Sequence, residues 1–198
     1  MKKVLFAVAA CGLLVGGLNA QPTAGYHTIP DSYYVQNRTS APLSQRFTVS
    51  GGVYTTTVYA GEQRVEMRWN NWPDQTTYNQ FEADAMFDGG TQHTAIHQIK
   101  SNDGHEPIYI QVDTPGTIRN DNGAVFASGM ANTWFHINSL YNPVNGDGRL
   151  YINGSLKASV SQPVSSRNFY FKNGCYNNGI PKGGRSRASF KNIKHWVK

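Results

Sequence analysis

The sequence is poor in charged residues and has no long helical pattern, and both shortages bear on the fold. Charged residues make up 15% of the 198 positions, whereas aromatic residues make up 12% and glycines number 20. Outside the extreme N-terminus, no long segment spaces its apolar residues as an amphipathic helix would. The length allows one domain with a proper core. These features favour a single all-β domain of many short strands and turns.

Cysteine is equally scarce, since the chain contains only Cys11 and Cys175. Residues 1–20 have a basic start, an apolar run and a small residue, Ala20, at the end, which predicts a secretory signal peptide. The run is too short and glycine-rich to favour a transmembrane helix. Cleavage would remove Cys11 and leave no disulfide within residues 21–198, although a secretory compartment permits one. A lipoprotein signal ending at Cys11 is the disfavoured alternative, because the apolar run before it is very short.

The formal net charge is +6, and loss of Lys2 and Lys3 with the signal leaves +4. A basic secreted protein attracts nucleic acids, anionic membranes or acidic polysaccharides. No recognised nucleic-acid motif accompanies the basic residues. We therefore expect a secreted, extracellular monomer whose partner is an anionic polysaccharide, with no nucleic-acid or membrane partner.

Period-2 alternation and turn signals such as Gly51-Gly52 and Asn153-Gly154 divide the chain into many short strands. We predict one domain over residues 21–198, a single antiparallel two-sheet sandwich of the β-jelly-roll type. The predicted strands are 33–35, 47–49, 53–59, 64–69, 78–87, 94–100, 108–112, 123–126, 134–140, 150–152, 157–160, 169–177 and 188–197.

The stretch from Tyr170 to Asn177 is the most informative of these strands. Alternation places Tyr170, Lys172 and Tyr176 on one face and Phe171 and Cys175 on the other. Two phenols and an ammonium on one face suit a groove that binds an anion and moves a proton. An ordinary half-solvated strand would show the same alternation, so the pattern alone leaves both interpretations open.

Two further strands carry polar faces. Arg64, Glu66 and Arg68 share one face of their strand, where the carboxylate could hold both guanidinium groups in position. Gln98 and Lys100 share a face of theirs. Exposed salt bridges and solvated strand faces have the same pattern, so neither strand is specific by itself.

Metal and hydrolase chemistry are both disfavoured by spacing. His93 and His97 would be roughly 13 Å apart on an extended strand, too far to share a zinc ion, and we expect no metal or other cofactor. Glu82 and Asp84 begin the Glu-x-Asp-x-x-Glu pattern of laminarinase-type glycosidases. The third acid is missing, because Phe87 occupies its position, and a retaining hydrolase needs a close carboxylate pair.

Taken together, the three polar strands resemble those of the alginate lyases of polysaccharide lyase family 7. That family has Arg-x-Glu-x-Arg, Gln-(Ile/Val)-His and Tyr-Phe-Lys-x-Gly-x-Tyr-Asn strands in this order. Here they read 64–68, 98–100 and 170–177. The resemblance covers the chain from about residue 25 onward. It implies a concanavalin A-like jelly roll, a two-sheet sandwich whose concave groove holds the three motifs.

The resemblance also implies β-elimination at a 1,4-linked uronic acid, in which the C5 proton is removed and the C4 oxygen expelled. By motif position, Arg64 and Gln98 would neutralise the substrate carboxylate. Glu66 and Arg68 would brace the site, and Tyr176 would protonate the leaving oxygen.

The third motif implies roles for two more residues. Lys172 would supply positive charge beside the phenol and bind a neighbouring sugar, and Tyr170 would bind substrate on the same face.

The chain departs from the family at Lys100, which replaces the histidine often taken as the base. His97 is next to Gln98 but on the other face unless a bulge intervenes. Either Lys100 acts as the base, or Tyr176 serves as both base and acid. The second route requires the C5 proton and the C4 oxygen on the same side of the ring, as in mannuronate and glucuronate but not guluronate.

We therefore predict a secreted polysaccharide lyase acting on mannuronate-rich alginate. The alternatives are a glucuronan lyase with the same chemistry and a non-catalytic carbohydrate-binding jelly roll. Retention of both Tyr176 and Arg64 argues against the latter, since binding alone does not need a proton donor.

Overall fold

The computed structural model describes residues 25–69, 75–162 and 169–198. The predicted signal peptide, residues 1–20, lies outside the described residues. No helix in the described ranges is long and apolar enough to cross a membrane.

Fifteen strands are present in the described part of the chain, with one short 3-10 turn at Leu43–Gln45. The strands are β1 His27–Ile29, β2 Tyr33–Arg38, β3 Phe47–Ser50, β4 Val53–Tyr59, β5 Arg64–Trp69, β6 Asn79–Phe87, β7 Thr94–Ser101, β8 Ile108–Asp113, β9 Thr117–Arg119, β10 Val125–Ala127, β11 Phe135–Tyr141, β12 Asp147–Ile152, β13 Ser155–Ser161, β14 Phe169–Asn177 and β15 Arg185–Val197. Two of the three-residue strands, β1 and β9, have no counterpart in the sequence prediction, because so short a strand shows little alternation. The third, β10, overlaps the predicted strand 123–126.

The strands form two antiparallel sheets packed as a sandwich, so the all-β jelly-roll prediction is confirmed. The motif sheet has the order β10-β9-β8-β7-β14-β5-β2 and contains all three polar strands next to one another. The back sheet has the order β13-β12-β11-β6-β15-β4-β3, with β1 added on β15. We call the surface of the motif sheet that faces away from the back sheet the motif face.

The core lies between the sheets and is filled mainly by alternate residues of the strands. Val65, Met67 and Trp69 of β5 are at most 1% exposed, and Phe81 of β6 and Phe171 of β14 meet them from the two sheets. Burial of such side chains is the main term that stabilises the sandwich. Because neighbouring residues alternate, the same burial turns Arg64, Glu66 and Arg68 toward the motif face.

Cys175 lies on the core side of β14, as its position in the alternation predicted. Its thiol is fully buried and receives a hydrogen bond from the hydroxyl of Thr56 across the sandwich, with the two atoms 3.3 Å apart. Burial raises the pKa of the thiol to about 12. The cysteine is therefore a small core residue and not a reactive thiol.

Strand β14 approaches β5 unusually closely at Gly174. This glycine has a φ of +151°, and a Cβ atom there would collide with the carbonyl oxygen of Val65 and lie 2.6 Å from the Cα atom of Glu66. On its other side β14 bulges, because the register with β7 shifts between Asn173 and Tyr176. A glycine allows the bulge and the close approach at one position.

We expect Gly174→Ala to lower the free energy of unfolding by at least about 3 kcal/mol, because the methyl group meets backbone atoms that cannot move aside. Gly52→Ala is the matched control. Gly52 also has a positive φ, +75°, but nothing lies within 4 Å of the point that a Cβ atom would occupy there, so the cost should be about 1–2 kcal/mol. Equal losses in urea denaturation would contradict the steric explanation.

Candidate active site

The three polar strands are direct neighbours, in the order β7-β14-β5. Lys172 of β14 lies between Gln98 of β7 and Arg68 of β5. Tyr176, on the same strand, pairs with Arg64. Antiparallel pairing thus places side chains about 100 residues apart in sequence within contact distance on one face.

Glu66 is the centre of this arrangement. Its side chain is 2% exposed, and its two oxygens accept hydrogen bonds from three strands. The Gln98 amide donates to Oε1 at 2.8 Å, while the Lys172 ammonium and, at 3.4 Å, the Arg64 guanidinium bind Oε2. A buried carboxylate requires such partners, because it has lost its hydration.

Lys172 is as deeply buried as its partner, with a side chain that is 1% exposed. Burial lowers the pKa of its ammonium; the Glu66 carboxylate opposes this shift, and Arg64 and Lys100 add to it. The sequence prediction has Lys172 binding a neighbouring sugar. The structure places the ammonium beneath the motif face in an ion pair, where it holds Glu66 and is not presented to solvent.

Arg68 is positioned by an aromatic ring and not by the carboxylate that the strand pattern suggested. Its guanidinium carbon lies 3.6 Å from the ring centroid of Tyr170 and 5.9 Å from that of Tyr34. Such cation–π contacts fix a guanidinium while leaving its N–H groups available. Arg68 and Tyr170 therefore form a separate cation–π pair on the motif face, beside the Glu66 cluster.

Tyr176 has its positive neighbour in Arg64. The guanidinium carbon of Arg64 lies 4.5 Å from the centroid of the phenol ring, and the Arg64 side chain is 20% exposed. Tyr176 is half-buried. The pair thus places a phenol and a partly exposed guanidinium side by side at one end of the three motif strands.

Lys100 forms an ion pair with Glu106, which lies just before β8. The ammonium nitrogen is 2.5 Å from Oε1 of Glu106, and both side chains are about one quarter to one third exposed, at 26% and 31%. The pair lies at the edge of the Glu66 cluster and is open to solvent. Lys100 is therefore available to a ligand as a held positive charge.

His97 does not replace the missing histidine. A bulge interrupts the pairing of β7 with β8 between Ala95 and His97, yet the imidazole still faces the core. It is fully buried, stacks on Phe81 at 4.5 Å and shares a hydrogen bond with Ser139 of the back sheet at 2.8 Å. Burial lowers its pKa to about 3, so the ring remains neutral and inside the protein.

Strand β8 contributes polar groups that the sequence prediction did not include. Tyr109 pairs with Gln98, is 8% exposed, and burial raises the pKa of its phenol. Gln111, two residues on, accepts a hydrogen bond from the Asn178 amide at 2.6 Å. Alternation within β8 was readable from the sequence, but its position beside β7 was not.

Glu82 and Asp84 lie on β6 of the back sheet. Phe81 and Ala83 occupy the core positions of that strand, so the two acids face outward on the side of the protein opposite the motif face. They are therefore remote from the three motif strands. In the described ranges, no group of three or more His, Cys, Asp or Glu side chains has a geometry that could hold a metal ion.

Comparison with solved structures places the fold. The alginate lyase AlgAT5 of polysaccharide lyase family 7 superposes with a TM-score of 0.62 and 19% identity, covering 78% of this chain and 83% of that one. The family 7 alginate lyase AlyA1 of Zobellia galactanivorans has a TM-score of 0.60 and 16% identity, covering 85% of this chain and 94% of that one. The chain therefore has the jelly-roll fold of the family 7 alginate lyases.

Comparison with known sequences gives less specific information about the family than comparison of structures gives about the fold. No protein-family model matches the chain. A citrate-binding protein of Hevea brasiliensis is 23% identical over 192 residues, which cover 89% of this chain and 79% of that protein.

The buried ion pair gives the first prediction on the site. Glu66→Gln leaves the Lys172 ammonium buried without a counter-charge, and we expect the free energy of unfolding to fall by about 3–5 kcal/mol. A double variant, Glu66→Leu with Lys172→Met, should recover only part of that loss, since an apolar pair needs no hydration but the buried Gln98 amide loses its acceptor.

An exposed ion pair provides the control for this prediction. Arg185 binds Asp88 at 2.8 Å with a side chain that is 47% exposed, so Arg185→Gln should change stability by less than about 1 kcal/mol. Equal effects of Glu66→Gln and Arg185→Gln in urea denaturation would show that the pair does not organise the site.

Proposed function

We propose that the protein is a polysaccharide lyase that cleaves 1,4-linked uronic acid polymers by β-elimination. The observation that carries the proposal is the contact of Tyr176 with Arg64 beside the Glu66 cluster. A phenol next to a guanidinium, with an amide and an ammonium on the neighbouring strand, is the set of groups that elimination from a uronate needs. Similarity to the fold of family 7 alginate lyases supports the same activity.

The first requirement is neutralisation of the substrate carboxylate. The C5 proton is only weakly acidic while that carboxylate is fully negative, and charge moves into it as the proton leaves. Arg64 is partly exposed and keeps N–H groups beyond its contact with Glu66. Gln98 donates one amide hydrogen to Glu66 and has a second. Both residues would bind the carboxylate, and Glu66 with Lys172 would fix their positions.

The second requirement is a proton path, for which we favour Tyr176 alone. Its phenolate would accept the C5 proton, a C4=C5 double bond would form, and the C4–O bond would break. The phenol would then return the proton to the departing oxygen, so the enzyme ends as it began. Arg64 at 4.5 Å from the ring would stabilise the phenolate.

Lys100 fits this route as a charge and not as a base. An ammonium bound to the Glu106 carboxylate has no free electron pair to accept a proton. It can still attract the substrate carboxylate or a neighbouring one along the polymer. Arg68, stacked on Tyr170, would attract another carboxylate of the polymer further along β5 and β14.

Use of one tyrosine for both proton transfers restricts the substrate. The C5 proton and C4 oxygen must be on the same face of the sugar, which holds for mannuronate and glucuronate. We therefore propose mannuronate-rich alginate as the substrate, with glucuronan as the alternative. We also propose that the protein acts as an extracellular monomer after loss of residues 1–20.

A second candidate is a carboxylate-binding protein without turnover. It is favoured by the relative named a citrate-binding protein and by the cationic groups on the motif face. Such a protein would bind citrate or uronate oligosaccharides and leave the polymers intact. Formation of unsaturated products separates the two functions.

The proposal predicts an ultraviolet absorbance increase when the protein is incubated with polymannuronate or glucuronan, well ahead of polyguluronate. Tyr176→Phe should lower turnover at least about a hundredfold, because it removes the proton-transfer group. Tyr170→Phe is the matched control, since it keeps the ring under Arg68 and should reduce turnover far less. Unchanged turnover in Tyr176→Phe, or a preference for polyguluronate, would refute the mechanism.

Lys100 provides a separate test of the proton path. Lys100→Arg should keep most of the activity, since arginine keeps the positive charge beside Glu106 although its geometry differs. Lys100→Ala should raise KM and lower kcat, because charge stabilisation is lost. A Lys100→Arg variant that binds polymer but does not turn over would instead identify Lys100 as the base, since arginine stays protonated.

A further inference from the structure

The outer face of the back sheet contains a second cluster of polar side chains, on the side opposite the motif face. Strand β15 bulges there, because Lys191 pairs with Asp84 and Lys194 with Glu82, so that two residues of β15 oppose one of β6. The bulge opens a cavity of about 210 Å³. It is lined by Glu82, Asp84, His136, Asn192, Ile193 and Lys194.

Asp84 holds two of these side chains in place. Its Oδ1 lies 3.0 Å from Nδ1 of His136, and its Oδ2 accepts a hydrogen bond from the Asn192 amide at 2.7 Å. Because Nδ1 faces the carboxylate, the other ring nitrogen, Nε2, points away from it. That nitrogen is buried and has no hydrogen-bond partner in the described part of the chain.

Glu82 is the more informative residue of the cluster. Its side chain is 4% exposed, and its Oε1 accepts a hydrogen bond from the Lys194 ammonium at 3.3 Å. Its Oε2 is buried without a partner among the described residues. A buried carboxylate oxygen left unpaired is costly, and such groups in native proteins are satisfied by water or a ligand.

The charges around the cavity restrict the ligand. Two carboxylates, Glu82 and Asp84, line the cavity and repel an anion, and the Lys194 ammonium on the rim repels a cation. Oε2 of Glu82 is an acceptor, and Nε2 of His136 is a second buried polar atom that a hydroxyl group can hydrogen-bond, since a hydroxyl both donates and accepts. A ligand that matches them is uncharged and carries neighbouring O–H donors.

Two indoles lie on the same outer face, next to the cavity but outside its lining. Trp134 precedes β11 and has the Lys191 ammonium 4.2 Å from its ring centroid, and Trp196 lies beyond Lys194 on β15. Both are half-buried, and Nε1 of Trp196 has no partner among the described residues. Aromatic side chains around a few placed polar groups are typical of small-ligand sites.

We propose that this cavity is a second carbohydrate-binding site, specific for a neutral pyranose with one hydroxyl that donates to Glu82 and a neighbouring hydroxyl that hydrogen-bonds Nε2 of His136. It is separate from the motif face and does not depend on the lyase activity. The site would attach the protein to neutral polysaccharide while the motif face remains free for a uronan.

The test is a titration of the ¹⁵N-labelled protein with a β-1,4-linked gluco-oligosaccharide, followed by amide chemical shifts. We expect shifts at positions 82, 84, 136 and 194. Glu82→Gln should weaken this binding about tenfold, because the anionic acceptor is lost. Turnover of uronans at the motif face should be unchanged.

Two further variants complete the test, one that should weaken binding and one that should not. Asn192→Gly retains the left-handed backbone of this position, φ +54°, while removing the amide that holds Asp84, and should also weaken binding. Thr57→Ala, on the exposed side of β4 in the same sheet, should not. Absence of shifts on this face, equal affinity of Glu82→Gln and wild type, or binding there of mannuronate oligosaccharide alone would each overturn the proposal.

Discussion

The buried ion pair between Glu66 and Lys172 is the constraint on which the candidate site depends. Neither charge can remain in the sheet without the other, because both have lost their hydration. The carboxylate also takes the amide of Gln98 and the guanidinium of Arg64 as donors. Side chains from three strands are thereby fixed before any ligand binds, which is the preorganisation that the proposed catalysis requires.

Backbone packing supports this pair from within the strand. Gly174 lets β14 pass close to the carbonyl of Val65, directly opposite Glu66 in the ladder. The adjacent bulge against β7 changes the register before Tyr176. The proposed proton-transfer residue therefore lies immediately beyond the irregular point of the sheet, where its ring meets Arg64.

The two outer surfaces of the sandwich differ in chemistry although both are polar. The motif face holds partly exposed cations, Arg64, Arg68 and Lys100, around a neutralised centre. The cavity on the back sheet holds an unpaired acceptor of Glu82 beside Lys194 and has no excess positive charge among its described lining residues. The first suits a polyanion and the second a neutral sugar, so the two proposed sites have different charge requirements.

Much of the fold and of the candidate site was predictable from the sequence, because period-2 alternation is a local property. It was sufficient to assign an all-β sandwich, to bury Cys175 and to bring Arg64, Glu66 and Tyr176 to one side of their strands. The resemblance of three short motifs to family 7 alginate lyases then placed those strands in one sheet.

Tertiary structure decided which groups on those strands touch. Alternation cannot show that Lys172 is covered and paired with Glu66, that Arg68 rests on Tyr170, or that Lys100 meets Glu106 beside a neighbouring strand. It also cannot show that the ring of His97 bonds to the opposite sheet. These contacts depend on strand order, register and bulges, which pair residues more than 100 positions apart, such as Arg64 with Tyr176. A local pattern contains no information about such pairings.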